Sequence, residues 1–220
     1  YAQFLGKNDV INSHALAFGI SPKINAAGRM GDARSALELF GATDENLIFD
    51  LSAKLTSYNL ERQKYCDELY ASAKSKLKEG ETSDKIIMLW DESWNAGFVG
   101  IVAARLTEEY SRPVMLFVRN GDKLKGSARS VENINVFEAL KACAEYIAEF
   151  GGHSQAAGVN IEIENFDKLR AALNKYLTEN YSAEDFESRV YISGSLTGGL
   201  STRFAKELDL LEPFGVGNRR

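Results

Sequence analysis

The segment FGGHSQAAG, residues 150–158, combines two adjacent glycines with a histidine. Glycine allows backbone conformations that other residues avoid, and it lets backbone amides approach the oxygen atoms of a phosphate closely. His153 would then donate a hydrogen bond to a phosphate or stack on a base. The alternative interpretation, which the spacing alone favours, is a helix that ends at Gly151 and Gly152 with His153 in the following loop.

A second segment, GSARS at residues 126–130, joins two hydroxyl groups to an arginine. Ser127 and Ser130 can donate hydrogen bonds, and Arg129 offers a rigid fork of donors. At the end of a strand these three side chains are suited to binding an anion. The alternative interpretation is a surface turn with a solvated arginine.

A third segment, NAAGRMGD at residues 25–32, places Arg29 among small residues. Because nothing bulky surrounds this arginine, it can point inward toward a ligand. A salt bridge between Arg29 and Asp32, three residues apart at the start of a helix, explains the pattern equally well.

A fourth segment, WNAGFVG at residues 94–100, precedes a predicted helix. Gly97 and Gly100 would let the first turns of that helix pack closely on a sheet. Trp94 could stack on a base, but a tryptophan beside a strand is more typical of a protein core.

The residues needed for metal-dependent hydrolysis are missing from this sequence. The only histidines are His14 and His153, and no DxD, DHH, P-loop, GxSxG or HExxH motif occurs. Catalysis by two metal ions requires a cluster of aspartate and histidine ligands. Two separate cysteines, Cys66 and Cys143, do not indicate a zinc site. We therefore expect binding residues, but neither a catalytic residue nor a metal site, within this chain.

A long helix is predicted between the third and fourth segments. Apolar residues recur at helical spacing from Glu45 to about Lys78, with Thr43 or Asp44 as a cap and Gly80 as the end. Such a helix would extend for roughly 50 Å, which is typical of a connection between two lobes.

Strands and helices alternate along the rest of the chain. Strands are predicted at Lys85–Trp90, Pro113–Val118, Lys123–Arg129, Ala157–Ile163 and Arg189–Ser195. Helices are predicted at Ser35–Phe40, Gly97–Tyr110, Val136–Phe150, Phe166–Asn180 and Leu200–Leu211. A turn at 120–122 and a helix cap at Asn135 complete the pattern. This order predicts an α/β fold, a small mixed sheet flanked by helices and preceded by the long connecting helix.

Charge and composition narrow the class of protein. The net charge of −5 argues against a broad basic surface that coats nucleic acid, so any such contact must rest on a few placed arginines. The sequence contains no apolar run near the roughly 20 residues that span a bilayer. The first residues, YAQFLGKNDV, lack a basic leader, and cysteine is scarce. We therefore expect a cytoplasmic protein without a membrane anchor.

The order of the motifs resembles the RecJ family of the Asp-His-His phosphoesterase superfamily along nearly the whole chain. The motifs are INAAGRM, the long helix, WNAGFVGIVAARL with a following RPV, GSARS, FGGHSQAAG and LEPFGVGN. The resemblance implies four regions: the tail of the catalytic-domain region at 1–44, the connecting helix at 45–80, the DHH-associated substrate-binding domain at 81–180, and the start of an oligonucleotide-binding fold at 181–220.

The resemblance implies a 5′→3′ exonuclease for single-stranded DNA that acts in DNA repair and recombination. The family's catalytic domain binds Mn²⁺ or Mg²⁺, and we expect it to lie outside this chain. The chain itself would position the DNA, hold no cofactor and be inactive alone. Single-stranded DNA is the expected partner, and a helicase and a single-strand-binding protein are candidate partners of the parent protein.

The resemblance also assigns residues. Family positions that contact the substrate backbone are matched by Ser127, Arg129, Gly152 and His153, and we include their neighbours Ser130 and Gly151. Arg29 matches the arginine that faces the incoming strand. One position departs from the family pattern, since Asn95 follows Trp94 where a histidine is common. Asparagine keeps hydrogen bonding but has no ionisable group.

Two other functions remain open. An accessory domain of a related phosphodiesterase, acting on short RNA or cyclic dinucleotides, would share the Gly-Gly-His signature but is not expected to carry the long helix or the PFGVGN tail. A non-catalytic nucleic-acid or protein-binding module would also fit the negative charge. Binding of single-stranded DNA, and its sensitivity to Arg129→Ala and His153→Ala, distinguishes these functions.

Overall fold

The structure is a computed structural model that describes residues 4, 11–77, 84–187, 192, 194, 198–199, 201–215 and 217–218. The chain divides into two units. Unit 1 comprises residues 1–64 and 190–220, and unit 2 comprises residues 65–189. The boundary near residue 64 falls inside one long helix.

Unit 1 is helical in its first part. A π-helical turn, Ala15–Ile20, leads into helices α1 (Ser21–Met30), α2 (Arg34–Gly41) and α3 (Glu45–Lys76). The carboxylate of Asp44 accepts a hydrogen bond of 2.9 Å from the N–H of Leu47, which confirms one of the two predicted caps. The 32 residues of α3 confirm the long helix. It ends at Lys76, and the predicted end, Gly80, lies outside the described residues.

Small residues bring the helices of unit 1 together. Ala27, Ala36 and Leu55 form a buried apolar cluster. A Cβ atom on Gly31 would lie 2.5 Å from the hydroxyl oxygen of Tyr58, so the tyrosine of α3 occupies the space that this glycine leaves. The NAAGRMGD segment therefore contributes close helix packing.

Unit 2 is built on a five-stranded sheet with the order β1-β2-β3-β5-β4. The strands are β1 (Ile87–Asp91), β2 (Val114–Asn120), β3 (Lys123–Arg129), β4 (Glu149–His153) and β5 (Ala156–Glu162). Strands β1 and β2 are parallel and are connected by α4 (Ala96–Tyr110), whereas the remaining pairs are antiparallel. The structure thus confirms an α/β fold with a small mixed sheet.

One face of the sheet packs against α5 (Val136–Ala142) and α6 (Phe166–Asn180). The buried core on this side includes Met115, Phe117, Leu124, Ala128, Leu140, Val159, Ile161, Leu169 and Leu173. Burial of each large apolar side chain contributes about 1.5–3 kcal/mol. The side chain of Asn135 accepts hydrogen bonds from the N–H groups of Phe137 and Glu138, which confirms the predicted cap of α5.

The helix predicted at Val136–Phe150 is wrong in its second half. Helix α5 ends at Ala142, a 3₁₀ turn follows, and β4 begins at Glu149. The N–H of Ala148 donates to the carbonyl of Asn160 over 2.9 Å, and β4 then pairs with β5. Pairing with a strand more distant in sequence outweighs the local helical pattern, and Gly151 and Gly152 therefore lie in an edge strand rather than at a helix cap.

The last described helix is α7 (Thr202–Leu208), which a 3₁₀ turn at Asp209–Leu211 extends. It confirms most of the helix predicted at Leu200–Leu211. The predicted strand at Arg189–Ser195 lies outside the described residues, apart from residues 192 and 194. Within the described part of the chain, no helix combines the length and apolar character needed to cross a lipid bilayer.

Candidate nucleic-acid interface

The second face of the sheet carries small and polar residues on β3, β5 and β4. Helix α4 packs on this face against β2 and β3. Partners in adjacent antiparallel strands share a side of the sheet, so the register defines which residues meet there. We call this surface the open face and define it by Lys125, Ser127, Arg129, Glu149, Gly151, His153, Ala156, Gly158 and Asn160.

The residues of this side of the sheet form rows across the strands. The middle row runs Leu89, Leu116, Ser127, Gly158 and Gly151. Its side chains decrease in size from leucine, near α4, to glycine at the sheet edge. The neighbouring rows continue as Arg129, Ala156 and His153 on one side and as Lys125, Asn160 and Glu149 on the other. The open face is therefore shallow at its centre and bordered by hydrogen-bonding groups.

The glycines of β4 and β5 are required to different degrees, and two of them, Gly151 and Gly158, form the floor of the open face. Gly152 has φ +153°, and a Cβ atom there would lie 2.3 Å from the carbonyl oxygen of Ala156, so the backbone itself requires glycine. A Cβ atom on Gly151 would meet no described atom within 4 Å. On Gly158 it would meet only the carbonyl oxygen of Gly151, at 4.0 Å. Packing within the described chain does not require glycine at these two positions.

Ser127 and Arg129 form a connected pair of donors. The Nη1 atom of Arg129 donates to the Oγ of Ser127 over 2.9 Å and to the carbonyl of Ala128 over 2.7 Å. Because the serine oxygen accepts from the arginine, its own proton is directed elsewhere and can reach an acceptor such as a phosphate oxygen. The guanidinium group adds a permanent positive charge and further N–H donors beside it.

His153 and Arg129 lie on the same side of the sheet. Both pair with Ala156, one from β4 and the other from β3. Two strand spacings separate them, which places their backbones roughly 10 Å apart across a small residue. His153 is exposed at the end of β4. The two side chains can therefore contact neighbouring parts of one extended ligand.

The turn between β4 and β5 holds the two motifs together. The carbonyl of Gln155 accepts a hydrogen bond of 3.0 Å from the N–H of Ser130, and the carbonyl of Ser154 accepts one of 2.8 Å from the N–H of Val136. Ser130 directly follows β3, and Val136 is the first residue of α5. The histidine segment and the serine–arginine segment are thus fixed relative to each other by backbone hydrogen bonds.

Two of the predicted site residues, Ser130 and Arg29, are not among the residues of the open face. The hydroxyl of Ser130 donates to the carbonyl of Ile134 over 2.7 Å, so its proton stabilises the turn in this geometry. Arg29 lies exposed in the last turn of α1, in unit 1. Asp32 forms an exposed ion pair of 3.7 Å with Arg34.

The WNAGFVG segment has a structural role. Trp94 is 5% exposed and its Nε1 donates to the hydroxyl of Ser72 over 3.1 Å, which confirms a core position. The side chain of Asn95 accepts from the N–H of Gly97 over 2.8 Å and caps α4. Asn95 thus starts the helix that borders the open face.

Charges of both signs border the open face. Lys125 is exposed one row away from Ser127, and Glu149 accepts a hydrogen bond of 3.0 Å from the amide of Asn160. The row of Lys125 continues through Val118 to Asp91 in β1. There a hydrogen bond from Lys76 lowers the pKa of the Asp91 carboxyl to about 2. The sequence motifs did not identify Lys125 or Gly158 as site residues. The alternation of charged and small residues in KLKGSAR is the signal that could have identified Lys125.

The described residues do not fit a metal centre. Among them, no group of three or more histidine, cysteine, aspartate or glutamate side chains lies close enough to hold an ion. The open face instead offers donors for a negatively charged ligand.

Comparison with known proteins gives a consistent result. Residues 83–179, which contain the whole sheet, match the DHHA1 domain family. The chain is 31% identical over 212 residues to the single-stranded-DNA-specific exonuclease RecJ of Bacillus subtilis, which covers 94% of this chain and 27% of that protein. RecJ of Thermus thermophilus is 33% identical over 204 residues, covering 92% of this chain and 29% of that protein.

Solved structures of RecJ resemble the chain as well. The crystal structure of T. thermophilus RecJ in complex with Mg²⁺ aligns with a TM-score of 0.86 and 32% identity, covering 99% of this chain and 34% of that one. The structure in complex with Mn²⁺ aligns with a TM-score of 0.80. The chain thus spans about a third or less of the length of these relatives.

Proposed function

Because the chain belongs to the RecJ family and contains a DHHA1 domain, we propose that its open face binds the sugar-phosphate backbone of single-stranded DNA. We propose that it does so for a 5′→3′ exonuclease of DNA repair and recombination. The observation that carries this proposal is the common placement of Ser127, Arg129 and His153 over a floor without Cβ atoms. Their donors suit phosphate oxygens, and such contacts position a strand without selecting its sequence.

The geometry of the open face favours one strand. It is two strand spacings wide, roughly 10 Å, and its centre is formed by Gly151 and Gly158. The absence of side chains on this floor allows a sugar-phosphate backbone to approach the sheet closely. The names of the relatives, which are exonucleases specific for single-stranded DNA, agree with such a ligand.

The small number of cations predicts a shallow dependence on salt. Arg129 and Lys125 are the basic residues of the open face as defined above. Each phosphate contact to a single strand contributes about −0.7 to the slope of log K against log salt. Two contacts give a slope of about −1.4, which is consistent with binding by a chain whose net charge is −5.

Hydrolysis is assigned to parts of a longer protein. The described residues offer no metal cluster, and the RecJ structures that resemble the chain contain Mg²⁺ or Mn²⁺. We expect the chain to leave a 5′-labelled single strand intact in the presence of Mn²⁺. Degradation from the 5′ end by the purified chain would contradict this division of roles.

The proposal is tested by fluorescence anisotropy with a labelled oligonucleotide in the absence of divalent ions, as a single strand and as a duplex. We expect tighter binding of the single strand. Arg129→Ala should weaken it at least about tenfold, because a hydrogen bond to a charged group contributes about 1.5–3 kcal/mol. His153→Ala should weaken it by about two- to tenfold, the range for a neutral hydrogen bond.

The matched control is Arg119→Ala. Arg119 pairs with Leu124 and thus projects from the core side of the sheet, so its removal changes the net charge by the same amount on the opposite side. This variant should bind as the wild type does. Equal weakening by Arg119→Ala and Arg129→Ala would show a general charge effect and would contradict the proposal.

A further inference from the structure

We propose that Gly100 of α4 is a positioning residue that holds the guanidinium group of Arg129 against Ser127 before a ligand binds. This inference rests on the proposed function of the open face. Gly100 contributes no side chain to the ligand and acts through the space that it leaves.

The space at Gly100 is occupied by the binding pair. A Cβ atom there would lie 2.8 Å from the Nη2 of Arg129 and 2.8 Å from the Oγ of Ser127. It would also lie 3.5 Å from the Cζ of the guanidinium. The first two distances are too short for a carbon atom beside nitrogen or oxygen, so any larger residue at this position must displace the arginine, the serine or the helix.

A second contact of α4 fixes the backbone of the same arginine. The hydroxyl of Thr107, which is 5% exposed, donates to the carbonyl of Arg129 over 3.4 Å. Thr107 lies seven residues after Gly100, so both face the same side of the helix. Ala103, fully buried between them, keeps this side of α4 narrow. The helix thus holds Arg129 at its backbone and at the end of its side chain.

This arrangement explains a glycine that is unfavourable for the helix itself. Glycine in a helix interior is less stable than alanine, and the 15-residue α4 retains one at its fifth residue. An arginine side chain has many rotamers, and fixing one of them in the free protein reduces the entropy lost when a phosphate binds. The glycine therefore favours binding at the expense of helix stability.

The test is Gly100→Ala, with Gly97→Ala as the matched control. The control adds the same methyl group one turn earlier, where its nearest atom is the Oδ1 of Asn95 at 3.2 Å. We expect Gly100→Ala to reduce the affinity for a dT oligonucleotide to within about twofold of Arg129→Ala, and to lower the salt slope by about 0.7. Gly97→Ala should keep the wild-type slope.

A double variant separates positioning from a general effect on the fold. If Gly100 acts through Arg129, the variant Gly100→Ala with Arg129→Ala binds no more weakly than Arg129→Ala alone. Additive losses would overturn the inference. If Gly100→Ala fails to fold, as judged by tryptophan fluorescence, removal of the Arg129 side chain should restore folding. A double variant that also fails to fold would show that the added methyl group disturbs more than the arginine, and it would overturn the inference that Gly100 acts through Arg129.

A measurement without DNA distinguishes the failure of this inference from that of the proposed function. In ¹⁵N-labelled chain, the Nε–Hε signal of Arg129 should shift in Gly100→Ala and stay unchanged in Gly97→Ala. An unchanged signal in Gly100→Ala overturns the positioning role, whether or not DNA binds. If the signal shifts in Gly100→Ala but the wild-type chain binds no single-stranded DNA, the proposed function is rejected and the positioning of Arg129 by Gly100 is retained.

Discussion

Strands β3 and β5 serve two surfaces with opposite requirements. Toward α5 and α6 they place side chains that are all at most 4% exposed: Leu124, Ala128, Ala157, Val159 and Ile161. Toward the open face the intervening positions carry Lys125, Ser127, Arg129, Ala156, Gly158 and Asn160. The first surface is filled by the chain itself, whereas the second offers donors above a glycine floor.

Folding and binding are therefore encoded by alternate residues of the same strands. Successive side chains of a strand point to opposite faces of the sheet, so a change at one position leaves the surface on the other side in place. Substitutions on the core side should therefore change the free energy of unfolding, and those on the open face should change binding. Four stability measurements test this comparison.

The largest effect is expected for Phe117→Ala. The ring of Phe117 is fully buried and lies over Gly126 in the neighbouring strand, where a Cβ atom would be 2.3 Å from the ring. Its removal should lower the unfolding free energy by about 3–5 kcal/mol. Urea unfolding monitored by tryptophan fluorescence reports on unit 2, which contains both tryptophans, Trp90 and Trp94. A loss below about 1 kcal/mol would contradict the assignment of this face as the core.

The two adjacent glycines of β4 provide a matched pair with a smaller expected effect. Gly152→Ala should destabilise unit 2 by about 1–3 kcal/mol, because its backbone conformation is unfavourable for other residues. Gly151→Ala, one residue away on the open face, should change stability by no more than about 0.5 kcal/mol. The same urea experiment checks both. Equal destabilisation by the two variants would contradict the claim that the backbone requires glycine at position 152 but not at position 151.

The helix cap at Asn95 is expected to contribute about 1 kcal/mol. Asn95→Ala removes the acceptor for the N–H of Gly97 and should lose that amount in urea unfolding, whereas Asn95→Asp keeps an acceptor and should retain stability. A chain in which the aspartate variant is as unstable as the alanine variant would show that capping is not the role of this residue.

The smallest effect concerns the carboxyl of Asp91. A hydrogen bond from Lys76 holds its pKa at about 2, below the ordinary value of 3.8. The stabilisation is therefore present above the ordinary value and is lost as the pH falls through about 2. Because both side chains are partly exposed, we expect at most about 1 kcal/mol. The difference in unfolding free energy between wild type and Asp91→Asn should shrink from pH 5 to pH 2, and a difference that grows would be contrary to the ion pair.

Local sequence signals predicted most of the fold. The bounds of β3 and α6 agree with the prediction residue for residue, because alternation, helical periodicity and flanking turns coincide there. Strand β4 was not predicted. Its sequence, EFGGH, has no clear alternation, and its structure depends on pairing with β5, in which Gly151 faces Gly158.

The residue types carry the chemistry of the candidate site. The residue types identified Arg129 and His153 as candidate ligands of a phosphate, but their placement on one face follows from the register of three strands. The role of Gly100 depends on the approach of α4 to β3, which no local pattern encodes. Close packing of this kind is a tertiary property, and it defines the part of the site that the sequence did not predict.

The most direct test of the open face as the binding surface is a titration of ¹⁵N-labelled chain with a dT oligonucleotide, followed through backbone amide signals. We predict shifts at Ser127, Arg129, Gly151, His153 and Gly158, while the signal of Leu173, on the core side in α6, stays unchanged. Shifts confined to α6, or to any part of the chain other than the open face, would contradict the account.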